Sequence, residues 1–177
     1  MNKNTRNIAL TALFIGICVV FQGLKVISVY LTGPIVNACI IITTFVCGLP
    51  YGLIIAIVTP LIAYLMGFTP VLHLLPSLLP VIMVGNVIIV LASYLFIKHI
   101  DNKRLSYIYL FSGSLFKALF MGILVVFVLI PIFGSNIPQV AQNTIKMTFS
   151  LTQLITALIG IIISLLAYSR LKYIIKD

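Results

Sequence analysis

Apolar residues in this chain come in stretches of roughly 16 to 25 separated by short polar joints, close to the length of helix that crosses one bilayer. No other feature limits the fold as much. Of its 177 residues, 62% are hydrophobic and 7% charged, whereas soluble domains carry about 25% charged residues. A water-soluble fold is excluded. A transmembrane barrel would alternate apolar and polar residues in segments of roughly 10, but stretches such as 37–46 and 87–91 read as apolar on every face. In lipid that leaves helices, which satisfy their own backbone without closing a sheet. The expectation is an all-α, polytopic membrane protein: one transmembrane domain over 1–177, built as a six-helix bundle with spans near 8–24, 35–49, 53–66, 81–97, 105–129 and 148–168.

The joints are read from turn chemistry. Residues 31–34 (Leu-Thr-Gly-Pro) turn the chain back after the first span, and 50–52 (Pro-Tyr-Gly) form a tight joint between the second and third. Residues 67–80 hold three prolines that interrupt helical hydrogen bonding yet stay apolar, so this loop is expected to pack on protein. Residues 131–146 carry the polar second loop.

Charge placement orients the bundle. Lysine and arginine number 11 against two acids, Asp101 and Asp177. In a soluble protein this excess would suggest nucleic acid; here its distribution matters more, and no nucleic-acid partner is expected. Lys3, Arg6, Lys98, Lys103, Arg104, Arg170, Lys172 and Lys176 all fall on one side of a six-span topology, which places both termini in the cytoplasm by the positive-inside rule. Lys25, just after the first span, can snorkel toward water at the opposite face. Lys3 and Arg6 ahead of an apolar run imitate a signal peptide, but no small-residue cleavage pattern follows, and the segment reads as a retained helix.

Catalytic signatures are missing. There is no P-loop for ATP and no carboxylate inside a span to relay protons or sodium, so energy for any transport must come from a partner. His73 and His99 have no acid, cysteine or serine arranged as a nucleophile system. Cys18, Cys39 and Cys47 lack metal-ligand spacing and read as buried thiols. The chain is not expected to be an enzyme, nor to hold a metal or cofactor.

What remains is a set of polar residues inside the spans. Lys117 stands midway between Leu105 and Leu129, near the centre of the fifth span. An ammonium there costs a few kcal/mol unless it meets a cavity or partner, and no intramembrane acid is at hand. Asn86 and Gln153 each lie about 8 Å inside the outer end of their own spans at 1.5 Å per residue. Three such residues on consecutive spans suggest one shared pocket, with His73 in the outer loop placed to cap it. Gln153, Thr156, Gly160 and Ser164 form a small-polar stripe suited to close helix packing, and Ala12 and Gly16 form a small-xxx-small pair on the first span.

In size, topology and charge placement, essentially the whole chain resembles the substrate-binding S component of energy-coupling-factor (ECF) vitamin transporters. Local likenesses are residues 6–13 (Arg-Asn-Ile-Ala-Leu-Thr-Ala-Leu), 79–86 (Leu-Pro-Val-Ile-Met-Val-Gly-Asn), 113–117 (Gly-Ser-Leu-Phe-Lys) and 149–160 (Phe-Ser-Leu-Thr-Gln-Leu-Ile-Thr-Ala-Leu-Ile-Gly). The resemblance implies a subunit of the cell membrane that captures a vitamin or vitamin precursor at the outer face. It also implies a transmembrane coupling protein and two ATPase subunits as partners, which would account for the missing nucleotide site. Family members dock through an Ala-xxx-Ala pair on the first helix; here Ala12 is followed by Gly16. Their ligand sits near the outer face between the later helices, where Asn86, Lys117 and Gln153 fall. No tryptophan occurs, and Lys117 favours a small acid such as pantothenate or niacin over a cobalamin-sized ligand. The alternative reading is a membrane scaffold that recruits other proteins and takes no small ligand; a passive channel is disfavoured by the scarcity of polar residues to line a pore.

Overall fold

The computed structural model describes residues 2–24 and 28–175, with side chains for all of these except 136 and 171–175. Lys25 and Lys176, and the side chain of Lys172, lie outside the described residues. The described residues are helical almost throughout: α1 (Lys3–Gly23), α2 (Val29–Cys47), α3 (Leu49–Leu65), α4 (Pro70–Leu74), α5 (Leu78–Lys98), α6 (Lys103–Ile123), α7 (Ile130–Phe133), α8 (Gln139–Phe149) and α9 (Leu151–Ile175). Five helical stretches are long and apolar enough to cross a membrane: α1, α2, α5, the run Lys103–Phe133 and the run Gln139–Arg170. The 17-residue α3 is shorter; it rises roughly 25 Å, a little less than the ~30 Å hydrocarbon core. This is an all-α polytopic membrane protein.

Two joints differ from their sequence expectation. Residues 31–34 do not turn the chain; they lie inside α2, which starts at Val29 and carries Pro34 in its second turn. A proline removes one helical hydrogen bond, and in a packed membrane helix neighbouring groups can absorb that loss. Nor is 50–52 the joint between α2 and α3. The chain reverses at Gly48, whose φ of 94° is open to glycine and costly for other residues, and Pro50 sits in the first turn of α3, where its missing N–H would have had no partner.

The two long loops are more ordered than turn chemistry alone suggests. Loop 67–80 contains α4 and buries Leu72, Leu75 and Leu78 against Met121, Val125 and Leu129 of the α6 run, so it does pack on protein. In 131–146 the fifth span continues through a π-helical stretch at 124–129 into α7. Pro131 cannot donate to the carbonyl four residues back, and the turns before it widen. Gln142 then donates from Nε2 to the Gly134 and Ile137 carbonyls, both at 2.9 Å, closing the loop onto α8. α8 buries Ile145 and Phe149 on the same apolar cluster and breaks from α9 at Ser150 (φ −111°, ψ −97°).

Close helix approach fixes the middle of the bundle. A Cβ on Gly160 of α9 would lie 2.7 Å from Asn37 Cβ and 3.0 Å from the Pro34 carbonyl, and one on Gly33 would lie 2.8 Å from Thr156 Cγ2. Glycine at these two positions lets α2 and α9 meet along the small-polar stripe. Buried Thr43, Thr44, Thr59 and Ser93 each donate to the carbonyl four residues back, so they need no partner on another helix. Cys18, Cys39 and Cys47 are buried free thiols.

The ends of the bundle differ in character. At one, Phe45, Phe96, Tyr107 and Tyr168 make a chain of ring contacts, and Asn7 of α1 donates to the Cys47 carbonyl. Lys98, Lys103 and Arg104 belong to this end by chain position. At the other, α1 and α3 finish while α2, α5 and α9 begin.

Candidate functional site

A cavity opens at that second end, with about 550 Å³ of empty space counting its mouth. Each surrounding element contributes: Gln22 from the end of α1; Thr32, Gly33, Val36 and Asn37 from α2; Pro60 and Ala63 from α3; Thr69 and Leu72 from the loop and α4; Ile82 and Asn86 from α5; Lys117 from α6; Gln153 from α9.

Lys117 forms its floor and is 2% exposed. Its Nζ donates to Asn37 Oδ1 at 2.6 Å and to Asn86 Oδ1 at 3.0 Å. Among the described residues no carboxylate pairs with it, and Asp101 is exposed in the α5–α6 joint. An ammonium at the centre of a membrane helix costs about 2.5–3.5 kcal/mol on insertion scales, while a hydrogen bond involving a charged group contributes about 1.5–3 kcal/mol. Two amide oxygens therefore offset a cost of this size. A lysine has three N–H donors, so one is left for whatever occupies the cavity.

A proline explains how Asn86 is aimed. Pro60 within α3 has no N–H to give the carbonyl of Ala56, four residues earlier. Asn86 Nδ2 donates to that carbonyl at 3.2 Å, which turns Oδ1 toward Lys117. Reversing the amide would set its NH₂ against the ammonium and its oxygen against a carbonyl, so both contacts select one orientation. Asn37 is held by packing, since Gly160 brings α9 directly over its Cβ.

Asn86, Lys117 and Gln153 thus line a single cavity, Gln153 half-buried at its rim with no hydrogen bond on its side-chain amide among the described residues. His73 does not join them. Its exposed ring stacks on Tyr64 with centroids 5.0 Å apart, and its neighbour Leu72 faces the cavity instead. Asn37 and Gln22 are the lining amides that sequence reasoning missed. The sequence reading absorbs Asn37 into an apolar run and does not single out Gln22 within the first span, although an amide inside a span is the same signal that marks Asn86. Ala12 and Gly16 stand on an exposed face of α1, and a Cβ on Gly16 would meet nothing within 4 Å.

A polytopic helical bundle with a polar cavity let into one end, floored by a buried cation, has the anatomy of a small-molecule binding subunit in a membrane. The family model for the ECF transporter substrate-specific component matches residues 6–171, and the chain belongs to that family. Its members are transporter subunits that bind small-molecule substrates and work with a membrane-embedded ECF module. No curated protein and no solved structure matches the chain.

Proposed function

We propose that this substrate-specific component captures a small vitamin or vitamin precursor bearing a carboxylate, with Lys117 as the anion's partner and Asn86 and Gln153 as polar contacts. The single transmembrane domain has both termini in the cytoplasm, so the cavity opens outward. Uptake follows when a transmembrane coupling protein and two ATPase subunits engage the loaded subunit, with the open face at Ala12 and Gly16 as the docking surface. The observation that carries this reading is the buried Lys117 side chain on the cavity lining, whose Nζ is held by two neutral oxygens and faces no acid among the described residues, so that one of its three donors remains for a ligand. An anion gains more from that donor than a neutral ligand, because the desolvated charge has no acid to neutralise it. Calorimetric titration of detergent-purified protein with a panel of vitamins and precursors, without ATP, tests it: an acid of this size should bind at one site, and silence across the panel would refute the reading.

A further inference from the structure

A second group in the cavity lacks a partner. Gln22, near the end of α1, is 7% exposed, and its Oε1 is fully buried without a hydrogen-bond partner among the described residues. A buried carbonyl-type acceptor left unpaired is unfavourable, and such groups in native folds are commonly satisfied by something that binds. Gln22 lines the same cavity as Lys117. Resting on the function proposed above, we infer that Gln22 is a specificity residue whose Oε1 accepts a hydrogen bond from a hydroxyl or N–H on the ligand.

The cavity then reads its ligand at two points of opposite kind. Lys117 offers a donor and requires an acceptor, best an anion; Gln22 offers an acceptor and requires a donor. Between them Val36, Ala63, Leu72 and Ile82 supply apolar wall. The ligand class is a small acid with an apolar body and a separate hydroxyl, amide or ureido donor. Acids without such a donor leave Gln22 as unpaired as it is without ligand and forgo the hydrogen bond that a donor-bearing acid gains there, and they are discriminated against for that reason. Pantothenate meets both requirements and nicotinate only the first.

The test uses full-length protein in detergent with two sets of probes: pantothenate and biotin, which carry a carboxylate and donors, and nicotinate and lipoate, which carry a carboxylate without a second donor. Gln22→Met keeps the side chain's length and removes its hydrogen bonding. We expect a donor-bearing acid to bind the unmutated protein and to bind Gln22→Met roughly 10-fold or more weakly, as deletion of a buried acceptor implies. Ligand-free Gln22→Met should melt at or above the unmutated temperature, since the acceptor it removes has no partner. A donor-free acid that binds best, an unchanged affinity in Gln22→Met, or a fall in ligand-free melting temperature would each overturn the role of Gln22 while leaving Lys117 as the anion site. Failure of all four acids to bind would overturn both.

Discussion

The Lys117 Nζ lies 2.6 Å from Asn37 Oδ1, across 80 positions of sequence and between two helices. Replacing that neutral oxygen with a charged one tests whether the ammonium is reserved for an anion. In Asn37→Asp the new carboxylate keeps the amide's shape and occupies the position a ligand anion would compensate. The ligand-free protein should be at least as stable as the unmutated one, because the ammonium is already desolvated and gains a partner. Affinity for an acidic ligand should fall about 10-fold or more, since one negative charge now opposes another. Thermal melting and calorimetry on one preparation read both; tighter binding of an acid by Asn37→Asp would contradict the assignment.

Gly160→Ala probes how the site is held. Its methyl would sit 2.7 Å from Asn37 Cβ and 3.0 Å from a backbone oxygen of α2, and overpacking of this kind costs about 1–3 kcal/mol. Relief requires α2 and α9 to separate, which carries Asn37 away from Lys117. The melting temperature should drop and ligand affinity should fall with it, although residue 160 does not line the cavity. An unaltered melting temperature would mean that the two helices are less tightly apposed than described.

The fold was largely legible in the sequence, because apolar runs of bilayer length admit few alternatives. Helix ends were harder to place. Gly-Pro at 33–34 has the chemistry of a turn, yet α2 accommodates it, and the reversal between α2 and α3 falls on Gly48, two residues ahead of the Pro50 that marks the start of α3. Within the site, Lys117 was conspicuous as a charge among apolar residues, and Asn86 and Gln153 followed from equal depth on neighbouring helices. Asn37 carries the same signal, an amide inside a span, but nothing in the sequence shows that it meets Lys117. The bond between Asn86 and the Ala56 carbonyl was equally hidden: Pro60 announces that a carbonyl is freed, but no pattern says which distant side chain will take it.

Partner docking is tested on α1. A Cβ on Gly16 meets nothing within 4 Å, so Gly16→Leu should leave the isolated subunit's melting temperature within about 0.5 kcal/mol equivalent and its ligand binding unchanged. Bulk at this point should keep another helix from close approach, and co-purification with the coupling module should weaken. Loss of ligand binding with assembly intact would mean that this face serves a different task.

Topology can be read with two single cysteines. Ser135 and Asn102 are both exposed, while the native Cys18, Cys39 and Cys47 are buried and should give little background. An impermeant thiol reagent added to intact cells should label Ser135→Cys and spare Asn102→Cys, as the positive-inside rule requires. The reverse pattern would invert the orientation and place the cavity on the cytoplasmic side.

Whether the buried Lys117 side chain binds an acidic ligand can be read by gentle purification followed by mass spectrometry of the released small molecules. Lys117→Met keeps the apolar stem and removes a costly intramembrane charge, leaving Asn37 and Asn86 without their common donor, so these stability effects oppose one another and the variant should remain folded. Binding should weaken by about 10- to 150-fold, the value of a charged hydrogen bond of roughly 1.5–3 kcal/mol. A small acid should be retained in near-equimolar amount by the unmutated protein and lost from folded Lys117→Met. Retention of the same compound by both proteins, or a ligand with no anionic group, would contradict it.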